Sequence, residues 1–287
     1  MTLINRLSLY AKLMRLDKPI GILLLLWPML WGLWFAAEGF PDWMVFFIFV
    51  MGTILMRSAG CVINDYADRQ IDPHVERTKN RPMAAGLVGS KEALLLAAGL
   101  SLVAFLLILP LNSLTIMLSV PALFLAASYP FTKRFFAMPQ AYLGIAFSFG
   151  IPMAFAAQTN TLPPIIWMLM LANLFWVVAY DTAYAIVDKP DDLKIGIRTS
   201  AITFGHFDVM GVMVCHTIFI AIMVYIGQWQ HMGMAYYVGL TIALGLMVYQ
   251  YTLIRNRDRA LCFKAFLHNN WVGAVVFLGI SIDFLMN

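Results

Sequence analysis

The chain has only 15 acidic residues among 287, and eight of them fall in two short windows. The first window places Asp65, Asp68, Asp72 and Glu76 after Asn64. At about 100° per residue these four carboxylates project within an arc of roughly 80°, provided that one helix runs through them. The second window, Asp181, Tyr184 and Asp188, repeats the same three-then-four spacing and continues to Asp191 and Asp192. Pro190 disfavours helix at Lys189, so Asp191 and Asp192 are expected on the loop that follows. Carboxylates stacked on one face repel, and something cationic must neutralise them. Oxygen donors select Mg²⁺ or Ca²⁺, and Mg²⁺ characteristically joins a few carboxylates to substrate phosphates. Basic residues crowd the same connections, among them Arg69, Arg77, Arg81, Lys133, Arg134 and Lys194. Carboxylate, metal, phosphate and basic side chain can then alternate in charge, which is the pattern of a metal–diphosphate site.

One basic residue stands apart. Arg57 precedes Asn64 by seven residues, two helical turns on nearly the same face and about 10 Å deeper. Its planar fork could snorkel, pair with a carboxylate, or grip the carboxylate of a substrate lying below the metals. The five histidines show no metal-binding pair. Cys61, Cys215 and Cys262 lie far apart without zinc or disulfide spacing, and are expected as idle buried thiols.

The elements that carry these groups are membrane helices. Sixty-two per cent of residues are hydrophobic and 12% charged, about half the charge of soluble domains. Nine apolar runs are long enough to cross a bilayer, centred within 20–37, 44–63, 93–109, 111–128, 141–157, 165–187, 209–226, 235–253 and 271–285. None alternates in polarity every second residue, as barrel strands would. Of the 19 Lys and Arg, all but Arg57 fall at the N-terminus or after the second, fourth, sixth and eighth runs. The positive-inside rule therefore puts the N-terminus and both acidic windows on the cytoplasmic side. The excess of base over acid is thus topological, and nucleic-acid binding is not expected. The long first run and its 18-residue basic flank argue against a cleaved signal peptide. Leu3, Leu7, Tyr10 and Met14 share a face suited to a helix lying in the interface. Trp27, Trp31 and Trp34 read as a packing or lipid-facing stripe, and Trp43, Trp229 and Trp271 as an interfacial belt. Pro121 and Pro152 are expected to mark kinks. Intramembrane acids also line ion paths, so an ion-coupled transporter is the alternative reading. Against it, the acids gather at one membrane face rather than the midplane.

At these residues the sequence resembles the intramembrane aromatic prenyltransferase superfamily, and within it the hydroxybenzoate branch. The resemblance rests on Arg15-Leu16-Asp17-Lys18-Pro19-Ile20-Gly21, on Asn64-Asp65-Tyr66-Ala67-Asp68 through Asp72, and on Arg77-Thr78-Lys79-Asn80-Arg81-Pro82. Tyr129 through Arg134, and Tyr180-Asp181-Thr182-Ala183-Tyr184 through Asp188, Asp192 and Lys194, complete it. It spans nearly the whole chain and implies one all-α transmembrane domain over residues 1–287, with nine helices around a central cavity. It further implies Mg²⁺-dependent transfer of a polyprenyl group from its diphosphate to the carbon ortho to the phenol of 4-hydroxybenzoate, a step of ubiquinone biosynthesis in the bacterial inner membrane. On this reading Asp68, Asp72, Asp188 and Asp192 hold the metals, supported by Asn64, Asp65 and Asp181. Arg69, Arg77, Arg81, Tyr129, Lys133, Arg134 and Lys194 are the candidates for diphosphate, and Arg57 and Arg15 for the aromatic acid.

Overall fold

A computed structural model describes residues 3–286, which form helices and connections without a strand. A helix α1 (Leu3–Leu13) precedes α2 (Ile20–Ala37), α3 (Trp43–Ala67), α4 (Ser90–Ile108) and α5 (Ser113–Thr132). Two short helices, α6 (Pro139–Ser148) and α7 (Gly150–Thr159), lead to α8 (Ile165–Ile195) and the single turn α9 (Ser200–Thr203). The chain closes with α10 (Asp208–Trp229), α11 (Met234–Ile254) and α12 (Arg259–Met286). Counting α6 and α7 as one interrupted span, nine helical segments among the described residues are long and apolar enough to cross a membrane. This is a multi-pass membrane protein.

Local chemistry sets the helix ends. Asp42 caps α3 by accepting from the amides of Met44 and Val45 at 2.8 and 3.2 Å, satisfying donors that a helix start leaves open. Asn112 caps α5 through the Thr115 amide at 3.0 Å. Its amide nitrogen also donates to the Ala156 carbonyl at 2.6 Å, tying α5 to α7. The break between α6 and α7 lies at Phe149, where Pro152 has no N–H to offer the Ser148 carbonyl.

The core centres on α8, which packs against α6, α10, α12 and α2. Trp31 and Trp176 are fully buried, with ring centroids 5.3 Å apart. Trp31 and Trp34 are therefore packing residues, and Trp27 joins them by donating to Asn270 at 2.9 Å. In a bilayer, helices associate by close approach rather than by exclusion of water. Gly239 of α11 and Gly279 of α12 show this: a Cβ at Gly239 would meet the Val275 carbonyl at 2.8 Å and Gly279 Cα at 2.9 Å. Of α1, Leu13 is buried with Val62, Met83 and Val88, whereas Ile4 and Leu7 remain exposed. All three cysteines are buried free thiols.

Two sequence expectations require correction here. First, α12 begins at Arg259, so Trp271 lies mid-helix rather than near an end. Second, α8 continues through Pro190 to Ile195, placing Asp191 and Asp192 on the helix and not on a loop. The hydrogen bond that Pro190 forfeits is offset by tertiary anchors. Lys189 Nζ bonds both the Gly205 carbonyl and Asp208 at 2.6 Å. Gly196, at φ 72°, closes the helix in a left-handed turn that a residue without Cβ adopts freely.

Candidate active site

The two acidic windows meet at one end of the bundle. Asp65 is fully buried in the last turns of α3. It accepts from Arg15 Nη2 at 2.8 and 3.1 Å and from Arg81 Nη1 at 3.2 Å. Arg81 Nη1 also reaches Asp72 at 3.0 and 3.2 Å. Burial works against the charge of Arg81, but Asp65 and Asp72 more than offset it and hold the guanidinium above its ordinary pKa.

The continuous acidic stripe expected from the sequence does not form. Helix α3 ends at Ala67, Asp68 caps it, and Asp72 opens a 3₁₀ turn over Asp72–His74. Arg81 draws that turn back over the helix end, and Thr78 Oγ1 fixes it by donating to the Asp72 carbonyl at 2.9 Å. Glu76 is excluded altogether: it faces solvent and pairs with Lys79 at 2.8 Å.

Lys133, at the end of α5, donates to Asp68 Oδ2, while Asp68 Oδ1 is buried with no hydrogen-bond partner. From the connection after α3, Arg77 crosses to α8 and holds Asp188 through Nε at 3.1 and 3.2 Å and Nη2 at 2.5 Å. Its guanidinium also lies 4.5 Å from the centroid of the Tyr184 ring. Along α8, Asp181, Tyr184, Asp188 and Asp192 recur every three or four residues and so share one face. Asp192 is buried, with Asp188, Lys133 and Arg77 as charged neighbours.

Below this end lies a cavity of about 460 Å³. Arg15, Asn64, Asp65, Arg77, Arg81 and Asp181 line its polar part, with Tyr129, Tyr180 and Arg57 also in its wall. Arg57 Nε donates to the Gly21 carbonyl at 3.1 Å, and the guanidinium lies 5.6 Å from the Phe147 centroid. Three basic candidates are elsewhere. Arg69 bonds the Tyr66 carbonyl at 2.7 Å and covers that ring. Arg134 bonds the Ala67 carbonyl at 2.6 Å, and the exposed Lys194 lies 3.8 Å from Asp191. None of the three lines the cavity, and neither does Lys133, which stands above it on Asp68. The exposed His74 shares its ring with the Gln70 carbonyl.

Gly21, Lys18 and Tyr180 reach the cavity without having been read as site residues. Gly21 is the most consequential, because a Cβ there would meet Arg57 Nη2 at 2.7 Å. Its signal in the sequence was only its place in the Lys18-Pro19-Ile20-Gly21 string. Tyr180 OH is buried without a hydrogen-bond partner at the cavity wall.

The UbiA prenyltransferase family matches residues 25–272. The chain belongs to that family. It is 70% identical to a 4-hydroxybenzoate octaprenyltransferase of Nitrosomonas europaea, over 99% of this chain and 98% of that one. It is 72% identical to one of Nitrosospira multiformis, over 100% and 99%. In fold it is similar to a UbiA homologue of Aeropyrum pernix, with TM-score 0.80 and 23% identity over 92% of this chain and 97% of that one. A UbiA homologue of Archaeoglobus fulgidus bound to GPP and Mg²⁺ gives TM-score 0.73 and 16% identity over 95% and 99%. None of these relatives supports the ion-coupled transporter reading.

The chain's own residues fit a hard cation. No three Asp, Glu, His or Cys side chains form a ready cage among the described residues, because Asp65, Asp68, Asp72 and Asp188 each engage a basic partner. The donors available are nonetheless carboxylate oxygens, the set that Mg²⁺ prefers. The orphaned Asp68 Oδ1 is a buried acceptor that a cation would satisfy.

Proposed function

We propose that this chain transfers a polyprenyl group from polyprenyl diphosphate to the carbon ortho to the phenol of 4-hydroxybenzoate, releasing diphosphate. The reaction belongs to ubiquinone synthesis and takes place at the cytoplasmic face of a bacterial inner membrane, on a single transmembrane unit spanning residues 1–287. One observation carries the reading: two acidic windows interleaved with Arg77, Arg81 and Lys133 stand over a largely apolar cavity with an arginine in its wall. The Nitrosomonas and Nitrosospira relatives, both 4-hydroxybenzoate octaprenyltransferases, match this substrate pair.

Asp68, Asp72, Asp188 and Asp192 are the proposed metal-holding carboxylates, with Asn64, Asp65 and Asp181 in support. Bound Mg²⁺ supplies Lewis acidity and charge neutralisation to the diphosphate. Arg77, Arg81 and Lys133 already stand among the carboxylates, and Tyr129 lines the wall beside them. They donate to diphosphate oxygens with hydrogen bonds that strengthen as the carbon–oxygen bond breaks. Arg69 and Arg134 are engaged by the Tyr66 and Ala67 carbonyls and Lys194 lies exposed beside Asp191, so these three take no direct part. The apolar walls keep water from the allylic cation, so the electron-rich ring carbon forms the new carbon–carbon bond and then loses its proton to restore aromaticity. Arg57 grips the benzoate carboxylate. Arg15, committed to Asp65, instead holds the end of α3 in place.

The deciding experiment is a prenylation assay on the purified protein with prenyl diphosphates and a panel of aromatic acids. Product should form with 4-hydroxybenzoate, vanish on chelation and return with Mg²⁺. Asp68→Asn and Asp188→Asn should each lower turnover by about 100-fold or more while the protein stays folded. Cation flux in proteoliposomes without any prenylated product would overturn the reading, and near-normal rates in both variants would remove the metal assignment.

A further inference from the structure

Among the described residues, Tyr180 is the one tyrosine whose buried hydroxyl has no hydrogen-bond partner. The equally buried Tyr236 shows the usual outcome, donating to the Met223 carbonyl at 2.6 Å. Tyr180 is 2% exposed, yet it belongs to the cavity wall. It precedes Asp188 by eight residues on α8, which sets it about 12 Å deeper than that carboxylate. Arg57 lies about 10 Å below Asn64 on α3, so the two side chains reach the cavity at about the same depth. Arg57 and Asp181 are the charged neighbours of the Tyr180 hydroxyl. Asp181 in its turn has Lys133, Arg57 and Arg77 as cationic neighbours, so the surroundings of the hydroxyl are net cationic.

Packing keeps the ring from turning away to find a partner. Trp176, one turn earlier on α8, meets it edge-on with centroids 5.3 Å apart and planes at 81°, and Phe266 of α12 stands 6.1 Å from it. Trp176 is itself anchored, because its Nε1 donates to Asn269 Oδ1 at 3.1 Å while Asn269 Nδ2 donates to the Ala265 carbonyl at 3.0 Å. A buried donor left unpaired is unfavourable, and here the neighbouring rings hold it unpaired. Fixed polar groups of this kind in an otherwise apolar wall are what orient a ligand.

We propose that Tyr180 completes the acceptor site: its hydroxyl donates to the carboxylate of the aromatic acid beside Arg57, so that the acid is held at two points rather than one. This rests on the prenyl-transfer reading above. Arg57 already commits Nε to the Gly21 carbonyl, and a carboxylate offers about four acceptor sites, more than the remaining guanidinium edge fills. The hydroxyl adds a hydrogen bond without adding charge. A second point of contact also fixes the direction of the aromatic ring, and with it the carbon presented to the allylic end of the donor.

Tyr180→Phe tests the assignment, since it removes the hydroxyl and keeps the ring. No hydrogen bond within the protein is lost, so the thermal midpoint in detergent should not fall. KM for 4-hydroxybenzoate should rise about tenfold, while KM for prenyl diphosphate stays within about twofold. Benzoate and phenol, each used as an inhibitor, separate the two ends of the acceptor: the variant should bind benzoate about tenfold more weakly and phenol equally well. A lowered midpoint, equal changes in both KM values, an unchanged KM for the acid, or weakening confined to phenol would each overturn the assignment. Failure of the unaltered protein to form product would instead remove the prenyl-transfer reading. Calorimetric titration with benzoate, which needs no turnover, would then still decide the role of Tyr180, weaker binding to the variant supporting it and equal binding overturning it.

Discussion

Arg57 and Gly21 act as one unit. The guanidinium is held by a single bond to the Gly21 carbonyl and by the Phe147 face, and no carboxylate pairs with it among the described residues. A half-buried guanidinium bonded only to neutral groups is stabilised by an added counter-ion, which is why a benzoate carboxylate is the fitting ligand. The close approach depends on the missing Cβ at Gly21. Gly21→Ala should therefore push the guanidinium off its present position without removing its charge. The expected result is a rise of about tenfold in KM for 4-hydroxybenzoate, equivalent to about 1.4 kcal/mol, with KM for prenyl diphosphate little changed. Arg57→Ala should show the same selectivity more strongly. A loss confined to prenyl diphosphate in both variants would move Arg57 into the diphosphate network. The sequence exposed Arg57 because a lone intramembrane arginine is conspicuous, but it concealed Gly21, whose role depends on a contact 36 residues away.

At the scale of elements, the acidic end of α8 is held by a buried ion cluster in the connections around it. Asp208 is fully buried and accepts from Lys189 Nζ at 2.6 Å and from Arg257 Nε at 2.8 Å. Lys189 adjoins Asp188, so this cluster fixes the part of α8 that presents Asp188 and Asp192. Asp208→Asn leaves both cations short of a counter-charge. Since Arg257 is partly exposed, the expected cost is about 1–3 kcal/mol, seen as a lower thermal midpoint in detergent. The Mg²⁺ concentration for half-maximal rate should rise as well, while KM for the aromatic acid does not. A lower midpoint with unchanged Mg²⁺ dependence would make the cluster purely structural. These anchors also explain what could be read from the sequence. The spans follow from apolar run length, which is local. The course of α8 past Pro190 and the turn that folds Asp72 back under Arg81 depend on partners distant in sequence. Each therefore went against the local rule.

For the whole molecule, the question is which face of the membrane holds the site. Hydrogen bonds and ion pairs join the connections that carry the basic residues: Arg77 to Asp188, the Arg198 amide to the Lys133 carbonyl at 3.2 Å, Arg257 to Asp208, and Arg259 to Asp191 at 3.4 Å. The connections after α3, α5, α8 and α11 thus lie together at one end of the bundle. The alternate connections, after α2, α4, α7 and α10, contain no Lys or Arg. Positive charge is retained on the cytoplasmic side during insertion, so the basic end, and the acidic windows within it, should face the cytoplasm. Single cysteines placed beside Lys79, Lys194 and Arg255, in a background with Cys61, Cys215 and Cys262 replaced, should react with an impermeant thiol reagent only from the cytoplasmic side. Cysteines beside Gln158 and Gln230 should react only from the other. Labelling of the Lys79 and Lys194 positions from opposite sides would separate the two acidic windows and end the shared-site mechanism. Uniform labelling of all three basic positions from outside would keep the site but invert it, requiring both substrates to be supplied from the non-cytoplasmic side.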